Sequence, residues 1–491
     1  MYNTAGNTVD GSRNPAITHP YTRSLGMLSS LVMATTLLQA VPQQVSQTWV
    51  LGGTPGAEYT MSALGRGTDA AGATLTLRST TASARAVGSV SASTPADTFR
   101  LRRVRIVADI DVRDAATGAA PWILVEGPNG PMSMDLENDQ TVKGTGTGHR
   151  EITVYVPANA TRLLFGLFLN GPGEATARGL HLVARPVAAT NAPLGASAQR
   201  ELDSAWTLVR ANSLWRDTVT WSKVEADVRA MAAGAESVVE VYPAIQLLLA
   251  RLGDHHSFLT KPSRAQAFRS GGAENPKPVI RVLPDAVGYV SVPGFVGADP
   301  TAALDYAKRM QDSLASVMPA SSCRWVIDVR GNGGGNMWPM LGGLRPFVGD
   351  AGLGSFITAA GNQTMWHAGD EVNVRPPPVL ASLESAYVAV LTGPRTASSG
   401  EVVTISFRGR PRTRSFGLPT AGQSTANRDY TLPDSSMIFL TVSVEADRTG
   451  RRYGEKIEPD ETIQPSPKGS TEDAQLARAV AWLLSQPNCG V

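Results

Sequence analysis

Arg324–Asn336 reads RWVIDVRGNGGGN. Arg324 to Val329 has the apolar content of a buried strand, and three consecutive glycines follow within the next six residues. Glycines at the end of a strand let the chain turn sharply and leave backbone N–H groups open to an anion. No Lys-Ser/Thr pair follows, as a phosphate loop requires, and the spacing is not that of a dinucleotide fold. An oxyanion-binding turn and a plain tight turn both remain. A second strand, Tyr387–Thr392 (YVAVLT), leads into Thr396-Ala397-Ser398-Ser399-Gly400-Glu401. Small residues between a strand and a helix let a serine project as a nucleophile. A serine there also caps helices.

Further strands are predicted at Val287–Val292 and Met437–Val444. Helices are predicted over Leu304–Val317, started by Asp299-Pro300, and over Glu472–Leu484, capped by Ser470 or Thr471. This alternation predicts an α/β core over residues 276–488. Upstream the period changes. Leu202, Ala205, Trp206 and Val209 fall at helical spacing, as do Val224, Val228 and Met231. Pro243–Leu252 (PAIQLLLARL) reads as a short apolar helix with Pro243 in its first turn. These define a helical subdomain over 195–275, joined by an Ala/Asn/Pro-rich linker to a β-rich segment over 48–186. There Val104, Ile106, Ala108, Ile110 and Val112 alternate with polar residues, as do Leu163, Phe165, Leu167 and Leu169. Repeated alternation with turn residues between predicts an antiparallel sandwich of jelly-roll type.

The 491 residues carry 44 Lys+Arg against 42 Asp+Glu, and 42% of them are hydrophobic. That composition excludes a mainly disordered chain. It gives nucleic-acid binding no electrostatic footprint. Two cysteines, Cys323 and Cys489, rule out a cysteine zinc site and a disulfide framework. Leu25–Val41 is an uncharged run of about 17 residues, near the lower limit for a membrane span and slightly long for a signal-peptide core. Residues 1–47 are therefore read as a leader, and the chain as exported, to the periplasm or the exterior. No later run is long and apolar enough to span a bilayer, so stable membrane insertion of the mature chain is not expected.

A serine nucleophile needs a base, usually histidine. Six histidines are present. His19 lies in the leader, and His149 and His181 in the sandwich. That leaves His255, His256 and His367. Asp254-His255-His256 lacks HExxH spacing, and adjacent histidines point apart, so no metal site is expected.

Together these stretches resemble the tail-specific and tricorn-like serine peptidases, relatives of the C-terminal processing peptidases. The resemblance rests on D-x-R-x-N-x-G-G (Asp328, Arg330, Asn332, Gly334, Gly335), T-A-S-x-x-E (Thr396 to Glu401) and L-x-D-x-H-S (Leu252 to Ser257). It also rests on G-x-P-T-x-G (Gly417 to Gly422) and I-x-P-D (Ile457 to Asp460). It covers residues 200–488 and implies a ClpP/crotonase-like core.

The resemblance further implies Ser398 as nucleophile and an oxyanion hole from Gly334, Gly335 and the N–H of Ser399. Tail-processing members use a lysine after the T-x-G run, where this chain has Gly422-Gln423-Ser424. Tricorn-like members use a histidine that matches His256. They orient it through a glutamate at a position held here by Tyr453, with Glu455 two residues on. Glu455 is therefore the expected third member, with Glu401, Asp254 or no carboxylate at all as alternatives. The implied activity is hydrolysis of peptide or unfolded-protein substrates through an acyl-enzyme, without metal or organic cofactor. The alternative is an inactive binding protein on the same scaffold. No PDZ-like segment separates the helical part from the core.

Overall fold

In a computed structural model the description covers residues 48–487, apart from 54–57, 85, 129, 137–140, 187, 190, 271–274, 319–320, 322 and 468. The leader assigned to residues 1–47 lies outside it. The alternating segment forms β1 (Val50–Gly53), β2 (Tyr59–Gly65), β3 (Ala73–Ser79), β4 (Val87–Pro95) and β5 (Arg102–Gly127). It continues with β6 (Gly130–Leu136), β7 (Val142–Val156), β8 (Arg162–Asn170) and β9 (Glu174–Ala184). β5 runs through 26 residues. Its first half pairs with β7 and β9, and its second half with β6 and β8. The change of partners falls where Asp114 and Gly118 adopt positive φ, of 53° and 89°. The expected sandwich is thus built around one strand that belongs to both layers. The alternating residues Val104, Ile106, Ala108, Ile110 and Val112 are all buried in its core.

The helical part holds α1 (Ala196–Asn212), α2 (Trp221–Ala232) and α3 (Val238–Ala250), followed by β10 (Phe258–Thr260) and α4 (Pro262–Ser270). α3 starts five residues earlier than expected, with Pro243 inside it. Its buried Val241, Tyr242, Ile245, Leu248 and Leu249 carry the helix past a residue that would break an exposed one. The helical part is not self-contained. Its core takes in Leu432, Ile438 and Leu440 from the α/β part, and β10 pairs with a strand of that part.

The α/β part contains β11 (Val279–Val282), β12 (Gly288–Ser291), α5 (Pro300–Val317), β13 (Arg324–Asp328), α6 (Met337–Val348), β14 (Gly354–Thr358) and β15 (Gln363–Trp366). After these come β16 (Tyr387–Thr392), α7 (Ser399–Ser406), β17 (Thr413–Gly417), β18 (Thr425–Thr431), β19 (Met437–Asp447), β20 (Glu461–Thr462) and α8 (Ala474–Leu484). One sheet has the order β11-β12-β13-β16-β17-β20 and is parallel from β12 onward. A second sheet joins β10, β19, β14 and β15, with β18 also on β19. The predicted strand at Met437 therefore belongs to an antiparallel sheet. Asp299 caps α5 as expected, its side chain accepting from the Ala302 N–H at 2.7 Å. α8 is capped by Asp473, which accepts from the Leu476 N–H, and not by Ser470 or Thr471.

Arg103 of β5 ties the sandwich to the helical part. Its buried guanidinium donates to the carbonyls of Met231, Ala233 and Glu240, two of them at the C-terminal end of α2. A cation there satisfies carbonyls that the helix leaves open and meets the negative end of its dipole. Arg103→Met is expected to cost about 2–3 kcal/mol of stability, the scale of lost bonds to a charged donor. The check is a lowered melting temperature, and an unchanged one would show that the junction is held elsewhere.

Candidate active site

Both turns singled out in the sequence lie at the carboxyl ends of neighbouring parallel strands, β13 and β16. The first is braced by charge. Arg330 donates to both carboxylate oxygens of Asp328 and on to Asp473 at the start of α8. Tyr289 donates to Asp328 as well, at 2.9 Å. Asn332, fully buried, accepts the Gly334 N–H on Oδ1 at 3.0 Å, and its carbonyl accepts the Ala397 N–H at 3.0 Å. The D-x-R-x-N-x-G-G spacing thus fixes the glycine turn to α8 on one side and to the serine turn on the other.

Gly334 and Gly335 have φ of 100° and 113°. A Cβ on Gly334 would lie 2.8 Å from the Ser398 Cβ, and one on Gly335 would lie 2.0 Å from the Phe295 carbonyl oxygen. Because the Gly334 N–H is taken by Asn332, Gly334 gives room and not a free donor. That corrects the expectation for this residue. Ser399 opens α7, so its N–H has no intrahelical acceptor. Its hydroxyl donates to the Gly335 carbonyl.

Ser398 sits between β16 and α7 with φ 52° and ψ −121°. A non-glycine residue there is strained and persists only where its surroundings hold it. Its N–H donates to Glu401 Oε2 at 2.9 Å. Glu401 is fully buried and also accepts from the Thr420 hydroxyl and the N–H groups of Gly422 and Gln423. Burial raises its pKa, and these four donors act in the opposite direction.

His256 Nε2 lies 2.9 Å from Ser398 Oγ, and Nδ1 lies 2.8 Å from Thr425 Oγ1. The ring is buried, and both polar groups of its backbone are held. The N–H donates to Asp254, and the carbonyl accepts from Asn427 Nδ2 at 2.8 Å. Burial pushes the imidazole pKa down to about 4, against a smaller upward pull from Asp254. The ring is therefore neutral at neutral pH. With the proton on Nδ1, facing Thr425, Nε2 is left to accept from the serine hydroxyl.

Glu455 is not among the partners of this ring. It is exposed, and its carbonyl accepts from the Ser424 hydroxyl. The group on Nδ1 is Thr425. Of the alternatives, Glu401 braces the serine turn, and Asp254 accepts from the N–H groups of His256 and Ser257. Tyr453 donates to Asp447. Glu445 of β19 is fully buried. Its pKa is pushed well up by burial and then by the charge of Glu401. His367 faces Asp370 in an exposed turn. Thr425 has no distinctive sequence signal beyond lying three residues after the G-x-P-T-x-G run.

Comparison with known proteins puts the α/β part in a peptidase family. The particular family is peptidase family S41, whose model matches residues 286–463, so this part of the chain is a domain of that family. A nisin-resistance protein of Lactococcus lactis subsp. lactis is 26% identical over 278 residues, covering 56% of this chain and 83% of its own. The solved structure of a lipoprotein from Streptococcus agalactiae matches with a TM-score of 0.51 at 24% identity, over 60% of this chain and 98% of that one. A photosystem II D1 C-terminal processing protease aligns with a TM-score of 0.41 at 17% identity, over 55% of this chain and 93% of its own.

Gly334→Ala is expected to abolish reaction of Ser398 with a serine-directed probe while leaving the protein folded. The added methyl meets the serine itself, at a φ that alanine disfavours. Labelling at the wild-type rate would show that the turn has room to spare.

Proposed function

We propose that the chain is a serine endopeptidase working through an acyl-enzyme. The observation that carries this reading is the 2.9 Å approach of a buried, neutral His256 to Ser398 on a strained strand-to-helix turn. Ser398 Oγ attacks the peptide carbonyl as its proton passes to His256 Nε2. The tetrahedral oxyanion is held by the N–H groups of Gly335 and Ser399, donors of a kind worth about 3–4 kcal/mol of barrier each. His256 returns the proton to the leaving amine as the C–N bond breaks. Water then attacks the ester, gives its proton to His256, and Ser398 is released with that proton. Thr425 positions the ring by accepting from Nδ1. It adds no counter-charge to the imidazolium.

The substrate is a peptide or an unfolded chain segment. We also place the protein outside the cytoplasm. Cys323 is disulfide-bonded, which suits an oxidising compartment, and the relatives are named a resistance protein and a lipoprotein. Among the described residues no helix is long and apolar enough to cross a membrane.

The test is labelling of the purified protein with a fluorophosphonate, the adduct located by peptide mass spectrometry. Labelling at Ser398 that is lost in Ser398→Ala and His256→Ala is expected. No labelling of a folded protein would point to the inactive scaffold instead. Because the folded His256 pKa is lowered to about 4, the base stays unprotonated as pH falls past the ordinary histidine range. The labelling rate should hold between pH 8 and 5 and drop only near 4. A drop centred near 6.5 would identify a different base. Thr425→Val leaves the Nδ1 proton unpaired in a buried site. At about 1–3 kcal/mol this should slow labelling roughly 5- to 150-fold, and an unchanged rate would remove Thr425 from the machinery.

A further inference from the structure

Two residues beyond His256, Phe258 is 47% exposed. It stacks on Phe439 across the β10–β19 pair, with ring centroids 4.9 Å apart and planes at 16°. Phe268 of α4 meets Phe439 edge-on at 5.1 Å. The three rings form a wall in which Phe258 is open to solvent and Phe439 and Phe268 are half-buried.

This wall is tied to both halves of the site. On one side Phe258 is separated from His256 by Ser257 alone, and Asn427 of β18 holds the His256 carbonyl. On the other, the Phe268 carbonyl accepts the Ala298 N–H at 2.9 Å, which fixes the loop that follows β12. In that loop Phe295 bridges to Gly335, its carbonyl accepting the Asn336 N–H at 2.6 Å. Val296, next to it, is 48% exposed, while Asn275 holds both its N–H and its carbonyl. A loop with an exposed apolar side chain, Val296, thus stands beside the glycine turn. A half-open aromatic wall stands beside the histidine.

We propose that Phe258, backed by Phe439 and Phe268, is a specificity subsite for one large apolar side chain of the substrate peptide, close to the scissile bond. The inference rests on the peptidase reading and names the substrate class. An occupant of that chemistry follows from the surface itself. The open ring face is apolar and flat, and it is joined by backbone bonds to the groups that would meet the reacting carbonyl. An apolar residue covering it would remove water from both surfaces, whereas a charged residue would be desolvated without a partner.

The test is equilibrium binding of fluorescein-labelled ten-residue peptides to the Ser398→Ala protein. The peptides carry a polar background with a single Phe stepped through each position. In one register the Phe peptide should bind at least about ten-fold more tightly than the all-polar peptide, the lower end of what an apolar pocket discriminates. That preference should vanish in Phe258→Ser and persist in Phe258→Leu, with the all-polar peptide bound equally by all three. A preference that survives Phe258→Ser, or no preference in any register, would overturn the inference. Failure of the peptidase reading is read separately, from fluorophosphonate labelling of the wild-type protein. Binding with this preference by Ser398→Ala, together with no labelling of the folded wild-type protein, would leave the subsite standing and remove the enzyme.

Discussion

The buried carboxylate of Glu401 organises the site. Taking a carboxylate out of water costs several kcal/mol, and only well-aimed donors offset that. Here they are the N–H of Ser398, the hydroxyl of Thr420 and the N–H groups of Gly422 and Gln423. The first holds the serine in its strained backbone conformation. The other three fix the loop that delivers Thr425 to the histidine. One carboxylate thus sets the position of the nucleophile and of the group that orients the base. Losing any one donor would leave charge uncompensated in a closed space, so the two turns are locked together and do not drift independently.

The parts of the site that could be read from the sequence are those whose physics is local. Gly334 and Gly335 announce a turn because few other residues tolerate their backbone angles. The aspartate, arginine and asparagine around them act within a few residues of where they stand, apart from the bond of Tyr289 to Asp328 and the reach of Arg330 to α8. The serine turn needs small residues on both sides of the nucleophile, and composition alone displays that. Elimination narrowed the base to His255, His256 and His367, and the resemblance selected His256.

What was hidden depends on pairings across long separations. Thr425 touches His256 across 169 positions and, as a β-branched residue in a strand, looks like any other. The expectation of a carboxylate, Glu455, came from the family resemblance, in which a glutamate orients the histidine. A neutral hydroxyl leaves no charge pattern to find. The use of the Gly334 N–H by Asn332 is an Asx-type turn, local enough to anticipate, but which donor a side chain will claim is decided by the fold around it. Likewise the apolar run of β19 said that it was buried and nothing about which sheet would receive it. α3 ignored its internal proline because tertiary burial outweighed local preference.

Far from the chemistry, the course of β5 has mechanical meaning. In an ordinary sandwich the two layers meet only through side chains and can shear past one another. Here a single strand is hydrogen-bonded within both. A one-residue slip in either layer would turn the inward side chains of the shared strand outward and be transmitted along it to the other. The module should therefore yield as a unit, bearing load as a strut between whatever its free end meets and the helical part gripped by Arg103.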